Sequence, residues 1–495
     1  MASALIEAIK AGPPRTNNGA LTLATSGNTL TDLFGTIGSM RNLDSETIIA
    51  EFKKALYDDS LDAMRILFYS RDIRGGQGER STFLTIFNWL CVEQPNLVQI
   101  NLPLVIEFGR YTDLYATKDT PVEPLAVSLW AKQIQAKDGL ACKWAPREKS
   151  AHSLWAYKLR TALGMNAKTY RKFLSVNSST VEQQMCAQNW SEIKYERVPS
   201  QAMTKLRKAF GRQDQERFAA FLEDVESGVI DIKAATLHPH EILCKMLRPW
   251  DSTGYSKYNA YGYNGDFSYD HDAVLQAQWE ALPNYIKDED RKVLTVVDVS
   301  GSMGSQIGKS KARVVDAAIA LGIYTGERLT GPFKDHVITF SQEPMLVDFS
   351  GQNTLADKAS IIGNSPWGMN TDLQATFSLI LKRAIEYNIP QDDMPTTILI
   401  VSDMEFDCAT DNTLTQRQNI ANQYATAGYT MPETVWWNVL SRPSNVPVTS
   451  HETGAALISG YSPSILEAVL SGESMTPYLV MRKVLDSPRY ANVKS

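Results

Sequence analysis

The sequence predicts a multidomain α plus α/β protein, a helical solenoid followed by an α/β domain built on a doubly wound sheet. Three observations carry this prediction. Up to about Arg248 the apolar residues recur at helical spacing, and from Lys292 onward short apolar runs alternate with amphipathic helical stretches. Between them lies a stretch rich in Tyr, Gly, Asn and Asp. The expected domains are therefore a helical module over 1–250, a Tyr/Gly-rich linker over 251–285 and an α/β domain over 286–495. A length of 495 residues and 43% hydrophobic content fit two or more domains with sizeable cores.

In the first half, ETIIAEFKKALYD, SLDAMRILFYSRD, RSTFLTIFNWLCVEQ and NLPLVIEFGRYTDLYA each show the helical period. Their short connections favour antiparallel helical hairpins stacked as a solenoid, although no fixed sequence repeat marks the units. The linker begins as surface loop and becomes helical near Ala273. Beyond it, VLTVVD, DHVITF, TTILIVSD and TVWWNVL read as strands, with KSKARVVDAAIALGIYTGERL and DLQATFSLILKRAIEYN as crossover helices. Such alternation implies a parallel sheet covered on both faces. GAALISGYSPSILEAVLSG and a helix around PYLVMRKVLD close the domain.

Open α/β sheets bind ligands at the carboxyl ends of their strands, and Asp298 and Asp403 end two of these strands. In VLTVVDVSGSMGS, Asp298, Ser300 and Ser302 alternate along a loop leaving a buried strand, so one carboxylate and two hydroxyls can converge on a hard cation. Thr371, in Asn370-Thr371-Asp372, adds a hydroxyl, and Asp403 adds a second carboxylate, directly or through water. Mg²⁺ suits such a set, or another divalent ion such as Mn²⁺: it takes six oxygens, keeps several waters and is commonly held by one or two carboxylates. Too few strong ligands are present to close the shell, which leaves a position for an oxygen from a partner. The competing explanation is that these Ser, Thr and Asp residues cap helices.

Two glycine-containing runs lead nowhere. Gly308-Lys309-Ser310 ends like a phosphate-binding P-loop, but Met303 stands where that motif needs Gly. Arg74-Gly75-Gly76-Gln77-Gly78-Glu79-Arg80 is followed by Ser81 where a dinucleotide fingerprint needs Gly. No nucleotide cofactor is expected.

The formal net charge is −6 and the pI about 5.7, so any nucleic-acid-binding surface must be local. One candidate exists. Between Ala141 and Thr180 stand Lys143, Arg147, Lys149, Lys158, Arg160, Lys168, Arg171 and Lys172 against the single acid Glu148, with Trp144, Trp155, Tyr157 and Tyr170 interleaved. Such a segment can track a phosphate backbone and stack bases; it can equally be a solvated helix face over core aromatics. Cys91, Cys142, Cys186, Cys244 and Cys408 are scattered, which favours reduced thiols over disulfides or a zinc site. No apolar run of membrane-spanning length occurs and the N-terminus lacks a secretory pattern, so a cytoplasmic protein away from the membrane is expected.

The DVSGS loop, the later loop threonine and the strand-end Ser402-Asp403 closely resemble the metal-ion-dependent adhesion site of von Willebrand factor A domains, with Asp298, Ser300, Ser302, Thr371 and Asp403 at its positions. A helical half containing FYSRDIRGGQGER, FGRYTDL, KWAPREKS, TYRKFL, IKYERVPSQAM and HPHEIL, followed by such a domain, resembles the Ro autoantigen and TROVE-module proteins and their bacterial and phage relatives. The resemblance covers nearly the whole chain. It implies a ring of HEAT-like hairpins closed by a von Willebrand A domain, with structured noncoding RNA bound on a basic outer surface and single-stranded ends in the hole. It places Arg71, Arg74 and Arg80 beside the cationic segment as RNA-facing candidates, although Arg71 and Asp72 could form an ion-paired hairpin turn instead.

The expected function is thus a noncatalytic RNA-binding protein that docks a protein partner through its metal. The alternative is a protein interaction or assembly module, such as a phage scaffold, without RNA. Catalysis lacks a general base, since His336 and His451 are isolated and only Glu405 and Asp407 accompany Asp403.

Overall fold

The computed structural model describes residues 13–178, 180–247, 269–286, 291–310, 312–340, 344–366, 371–408, 414–471 and 475–495. The chain forms two compact units, Ser45–Thr236 with Pro488–Ser495, and Met1–Asp44 with Leu237–Ser487. A helical first half and a six-stranded mixed sheet give the α plus α/β class that the periodicities indicate. Residues 251–268 of the expected linker lie outside the described residues, and Ala273–Glu280 is helical.

In the helical unit, successive helices pack on one another, beginning with Ser45–Asp58, Ser60–Arg71, Ser81–Glu93 and Pro95–Phe108. Local chemistry sets where they start. Asp59 accepts the Asp62 N–H at 2.9 Å, and the Glu79 carboxylate takes the N–H groups of Ser81 and Thr82 at 2.7 and 3.1 Å, so donors orphaned at helix heads are satisfied. Phe68 packs between Phe83 and Phe108 with centroids at 6.0 and 5.6 Å. Tyr490 closes this core, 5.6 Å from Phe108, and its hydroxyl donates to the buried Asp72 carboxylate at 3.1 Å. Arg489 donates to the same carboxylate, so residues near the chain end are pinned to the helical unit.

The other unit is organised by a sheet in the order β3-β2-β1-β4-β5-β6. Its strands are β1 (Val293–Asp298), β2 (His336–Phe340), β3 (Met345–Asp348), β4 (Thr397–Ser402), β5 (Glu433–Asn438) and β6 (Ala455–Ser459). All neighbours are parallel except β2 and β3. The sheet is therefore mixed rather than wholly parallel. β3 is a four-residue edge strand of which only Val347 is buried, too short for its pattern to stand out.

Helices cover both faces. Leu373–Glu386 and Gln416–Thr426 pack Leu373, Phe377, Ile420 and Tyr424 onto Leu294, Val296, Ile398, Ile400 and Trp436. Val314–Arg328 covers the opposite face, where Thr295 and Thr325 hydroxyls meet at 2.7 Å. Its approach depends on Gly322: an added Cβ would stand 2.5 Å from Val297 Cγ2. Gly322→Ala should therefore cost about 1–3 kcal/mol by forcing helix and strand apart. The expected reading is a lower urea midpoint with an unchanged slope; an unchanged midpoint would mean the helix moves outward freely.

Residues 13–44 pack with the sheet unit, although the sequence groups them with the helical module. Leu23 pairs with Val446 through backbone hydrogen bonds, and the Thr16 hydroxyl donates to the Phe406 carbonyl at 2.6 Å. The segment thus runs beside the loops that follow β4 and β5. All five cysteines are free. Among the described residues no helix is long and apolar enough to cross a membrane.

Candidate functional site

The strand order reverses between β1 and β4, which lie side by side with Val297 opposite Val401. Connections leave in opposite directions at such a point and open a crevice at the carboxyl ends of the strands. Asp298 ends β1 and Asp403 immediately follows β4. Both are fully buried. Asp298 Oδ1 accepts the Ser300 N–H at 2.9 Å and Oδ2 accepts the Ser402 hydroxyl at 2.6 Å, so the carboxylate is fixed from both strands. The Ser300 and Ser302 hydroxyls stand 3.1 Å apart.

Thr371 is 1% exposed. Its N–H donates to Asp407 Oδ2 at 2.7 Å and its carbonyl accepts the Asp407 N–H at 3.0 Å, which ties it to the loop after β4. Its hydroxyl is buried without a hydrogen-bond partner among the described residues. Neighbouring Asn370 lies outside the described residues. Asp403 accepts the Glu405 N–H at 3.3 Å and Arg442 Nη2 at 3.3 Å, while Arg442 Nε stands 3.4 Å from Glu405.

Burial first, and then the negative charge of Asp403, push the Asp298 carboxyl up from 3.8 to about 7, against the pull of its Ser300 and Ser402 hydrogen bonds. The buried Asp298 carboxyl, the negative charge of Asp403 that acts on it and the Ser300–Ser302 hydroxyl pair are oxygen groups of the kind a hard divalent cation takes, and Thr371 is tied to the same post-β4 loop through Asp407. Among the described residues no group of three or more His, Cys, Asp or Glu gathers as a metal cluster; this set draws on hydroxyls instead. Capping does not explain it. Ser300 stands at the head of the short helix Gly301–Gly304 without a side-chain capping bond, and the residue that caps Leu373–Glu386 is Asp372, not Thr371.

Sequence reasoning missed one neighbour of this site. Arg442, which meets Asp403 and Glu405, carries no motif, although the strand-end rule points to the loop after β5. Glu405 is held by Asn17 N–H at 2.6 Å and Asn445 Nδ2 at 3.1 Å, contacts spanning 388 and 40 residues of chain.

The cationic segment separates into paired and unpaired residues. Lys143 meets Glu182 at 3.3 Å, Lys158 meets Glu123 at 2.6 Å and Arg160 meets Glu148 at 2.8 Å. Arg147 is half-buried, and that burial lowers its pKa. Lys149, Lys168, Arg171 and Lys172 are exposed and have no ion-pair partner among the described residues. The last three share one face of the helix Ala167–Ser178, whose other face buries Tyr170 and Leu174. Trp155 and Tyr170 are core residues, whereas Trp144 and Tyr157 are 39% and 54% exposed.

Arg71 is 2% exposed and bonded to the buried Asp113 at 2.7 Å, so it does not belong to the exposed cationic set. A buried guanidinium must be paired, and its partner proves to be this acid rather than adjacent Asp72. Arg74 is exposed and donates to the Glu107 carbonyl at 3.2 Å, and Arg80 donates to Asp113 at 2.7 Å.

Known proteins give these sites relatives but no activity. An uncharacterized protein of Acanthamoeba polyphaga mimivirus is 28% identical over 529 residues, covering 95% of this chain and 87% of its own. The crystal structure of the Deinococcus radiodurans Ro (RSR) protein matches with a TM-score of 0.38 and 13% identity, over 93% of this chain and 100% of that one. A domain of unknown function, DUF7788, matches residues 292–485, which include all five candidate metal ligands. A second domain of unknown function, DUF2828, matches residues 16–116 and 123–291, more than half of the sequence, and the chain belongs to that family.

Proposed function

We propose that this chain is a noncatalytic, Ro-like RNA-binding protein with a second docking site in a von Willebrand A-type domain. The observation that carries the RNA half is the row Lys168, Arg171 and Lys172, together with Lys149 from the same cationic segment. In a chain of net charge −6, these four exposed cations are not neutralised by ion pairs among the described residues. Phosphate oxygens would complete them, and such contacts recognise backbone and shape rather than sequence. Mg²⁺ would be held by Asp298, Ser300, Ser302, Thr371 and Asp403. Once bound, the ion offers a remaining coordination position to a carboxylate oxygen of a protein partner. The orphaned Thr371 hydroxyl and the electrostatically strained Asp298 support that half.

Counterion release supplies the test of RNA binding. Four phosphate contacts predict a slope of roughly −3 to −4 in log K against log salt, or about a hundredfold weaker binding between ~50 and ~200 mM salt. Replacing Lys168, Arg171 and Lys172 together by Gln should make that slope shallower by about three. Filter binding with structured RNA measures both quantities. A flat salt dependence, or self-association of the purified chain without copurifying RNA, would instead favour a protein assembly module.

A further inference from the structure

Asp113 lies at the centre of an unbalanced charge cluster. Its carboxylate is fully buried and faces three guanidiniums. Arg71 Nε and Nη2 both stand 2.7 Å from Oδ2, Arg80 Nε donates to Oδ1 at 2.7 Å, and Arg110 Nε lies 3.7 Å from Oδ1. The Arg110 backbone N–H also donates to Oδ2, at 3.2 Å. Gly109 leaves room for this crowding: a Cβ there would fall 2.4 Å from Asp113 Oδ2 and 3.0 Å from Arg71 Nε. Among the described residues, one negative charge therefore serves three positive ones. Arg71 is enclosed, but the side chains of Arg80 and Arg110 are 38% and 42% exposed. Burial lowers the Arg110 pKa, and the charges of Arg80 and Arg71 add to that lowering against the opposing pull of Asp113.

A second observation comes from the indole beside the cluster. Trp144 is 39% exposed, and both the Arg110 guanidinium and the Lys143 ammonium stand 5.7 Å from its ring centroid. A partly exposed indole with cations over its ring thus adjoins guanidinium donors that Asp113, the only acid the described residues bring to them, does not neutralise. A phosphate supplies the missing negative charge and acceptor oxygens for guanidinium forks, and a base attached to that phosphate finds a stacking surface. A free inorganic anion would use only half of this arrangement.

We infer that Arg80, Arg110 and Trp144 form a nucleotide subsite for single-stranded nucleic acid, the two arginines taking a backbone phosphate and the indole taking the adjoining base. The subsite rests on the RNA-binding reading for its ligand, but uses different residues from the Lys168 row.

The test uses the full chain and a fluorescently labelled single-stranded oligouridylate at low salt. Trp144→Ala should weaken binding about tenfold, the loss of one stacked base, while leaving the Asp113 cluster and the thermal midpoint intact. Arg80→Gln with Arg110→Gln should also weaken binding about tenfold or more and make the salt slope shallower by about two. Inorganic phosphate should compete for the arginine half at millimolar concentration, and equally in wild type and Trp144→Ala. If the oligonucleotide binds wild type, Trp144→Ala and the double-arginine variant equally, the subsite is wrong while the RNA reading stands. The subsite is equally wrong if structured RNA binds but the single strand does not. If neither RNA binds the wild-type chain, both readings fall.

Discussion

Asp113→Ala is expected to lower the unfolding free energy of the helical unit by about 3–5 kcal/mol, the cost of leaving a buried charge without its partner. Two features place this substitution at the severe end. Arg71 is 2% exposed and depends on Asp113 for the bonds made by Nε and Nη2. Removal of the carboxylate also leaves three guanidiniums facing one another. Asp113→Asn should recover little, because an amide keeps the shape but not the charge, and its NH₂ would confront arginine donors. Replacing Arg71 by Met in the Asp113→Ala background should restore part of the loss, since the enclosed charge is then gone. Chemical denaturation of the three variants measures the effect. A loss below about 1 kcal/mol for Asp113→Ala would show that water enters and solvates Arg71, and the cluster would then be a surface feature.

The arginines illustrate which parts of the molecule can be read from sequence. β1 and β4 announce themselves because both faces are covered, so every residue is apolar or buried and the run is unbroken. The metal motif is equally legible, since two of its acids stand at the ends of those strands and the spacing within Asp298-Val299-Ser300-Gly301-Ser302 is local. Charge pairing is another matter. Lys158 and Glu123 are 35 residues apart and Lys143 and Glu182 are 39 apart, so nothing in the sequence separates these lysines from the exposed Lys168 and Lys172. Asp113, three residues after Arg110 but 42 after Arg71, gathers partners from three separate segments. Its burial, and therefore its importance, follows only from the fold. The same holds for residues 13–44, whose contacts with the loops beyond β4 and β5 span 388 to 424 residues.

Asp298→Asn is expected to reverse its effect on stability according to whether a divalent ion is present. The folded-state pKa of Asp298, about 7, lies above its ordinary value of 3.8. Below 3.8 the carboxyl is protonated whether the chain is folded or not, and it imposes no penalty. Between these values the folded chain retains a proton that the unfolded chain has lost, so stability falls as pH rises. Above about 7 the penalty is complete and amounts to a few kcal/mol, because each tenfold change in proton affinity is worth ~1.4 kcal/mol. Asn has no such charge and can keep one acceptor for the Ser402 hydroxyl or the Ser300 N–H, so in chelator at about pH 8 the variant should melt at or above the wild-type temperature. Mg²⁺ inverts the order. A cation between Asp298 and Asp403 removes the penalty, and at a hundred times its Kd it adds about 2.7 kcal/mol to the wild type and nothing to a variant that cannot bind it. Because the ion competes with the proton on Asp298, the Mg²⁺-induced rise in melting temperature should grow between about pH 5.5 and pH 8. Calorimetric scans of both proteins in chelator and in Mg²⁺ resolve all four states. An equal Mg²⁺ shift in wild type and Asp298→Asn would place the ion elsewhere. The inverted order would identify these carboxyls as a site whose apo state is destabilised by the arrangement that binds the metal.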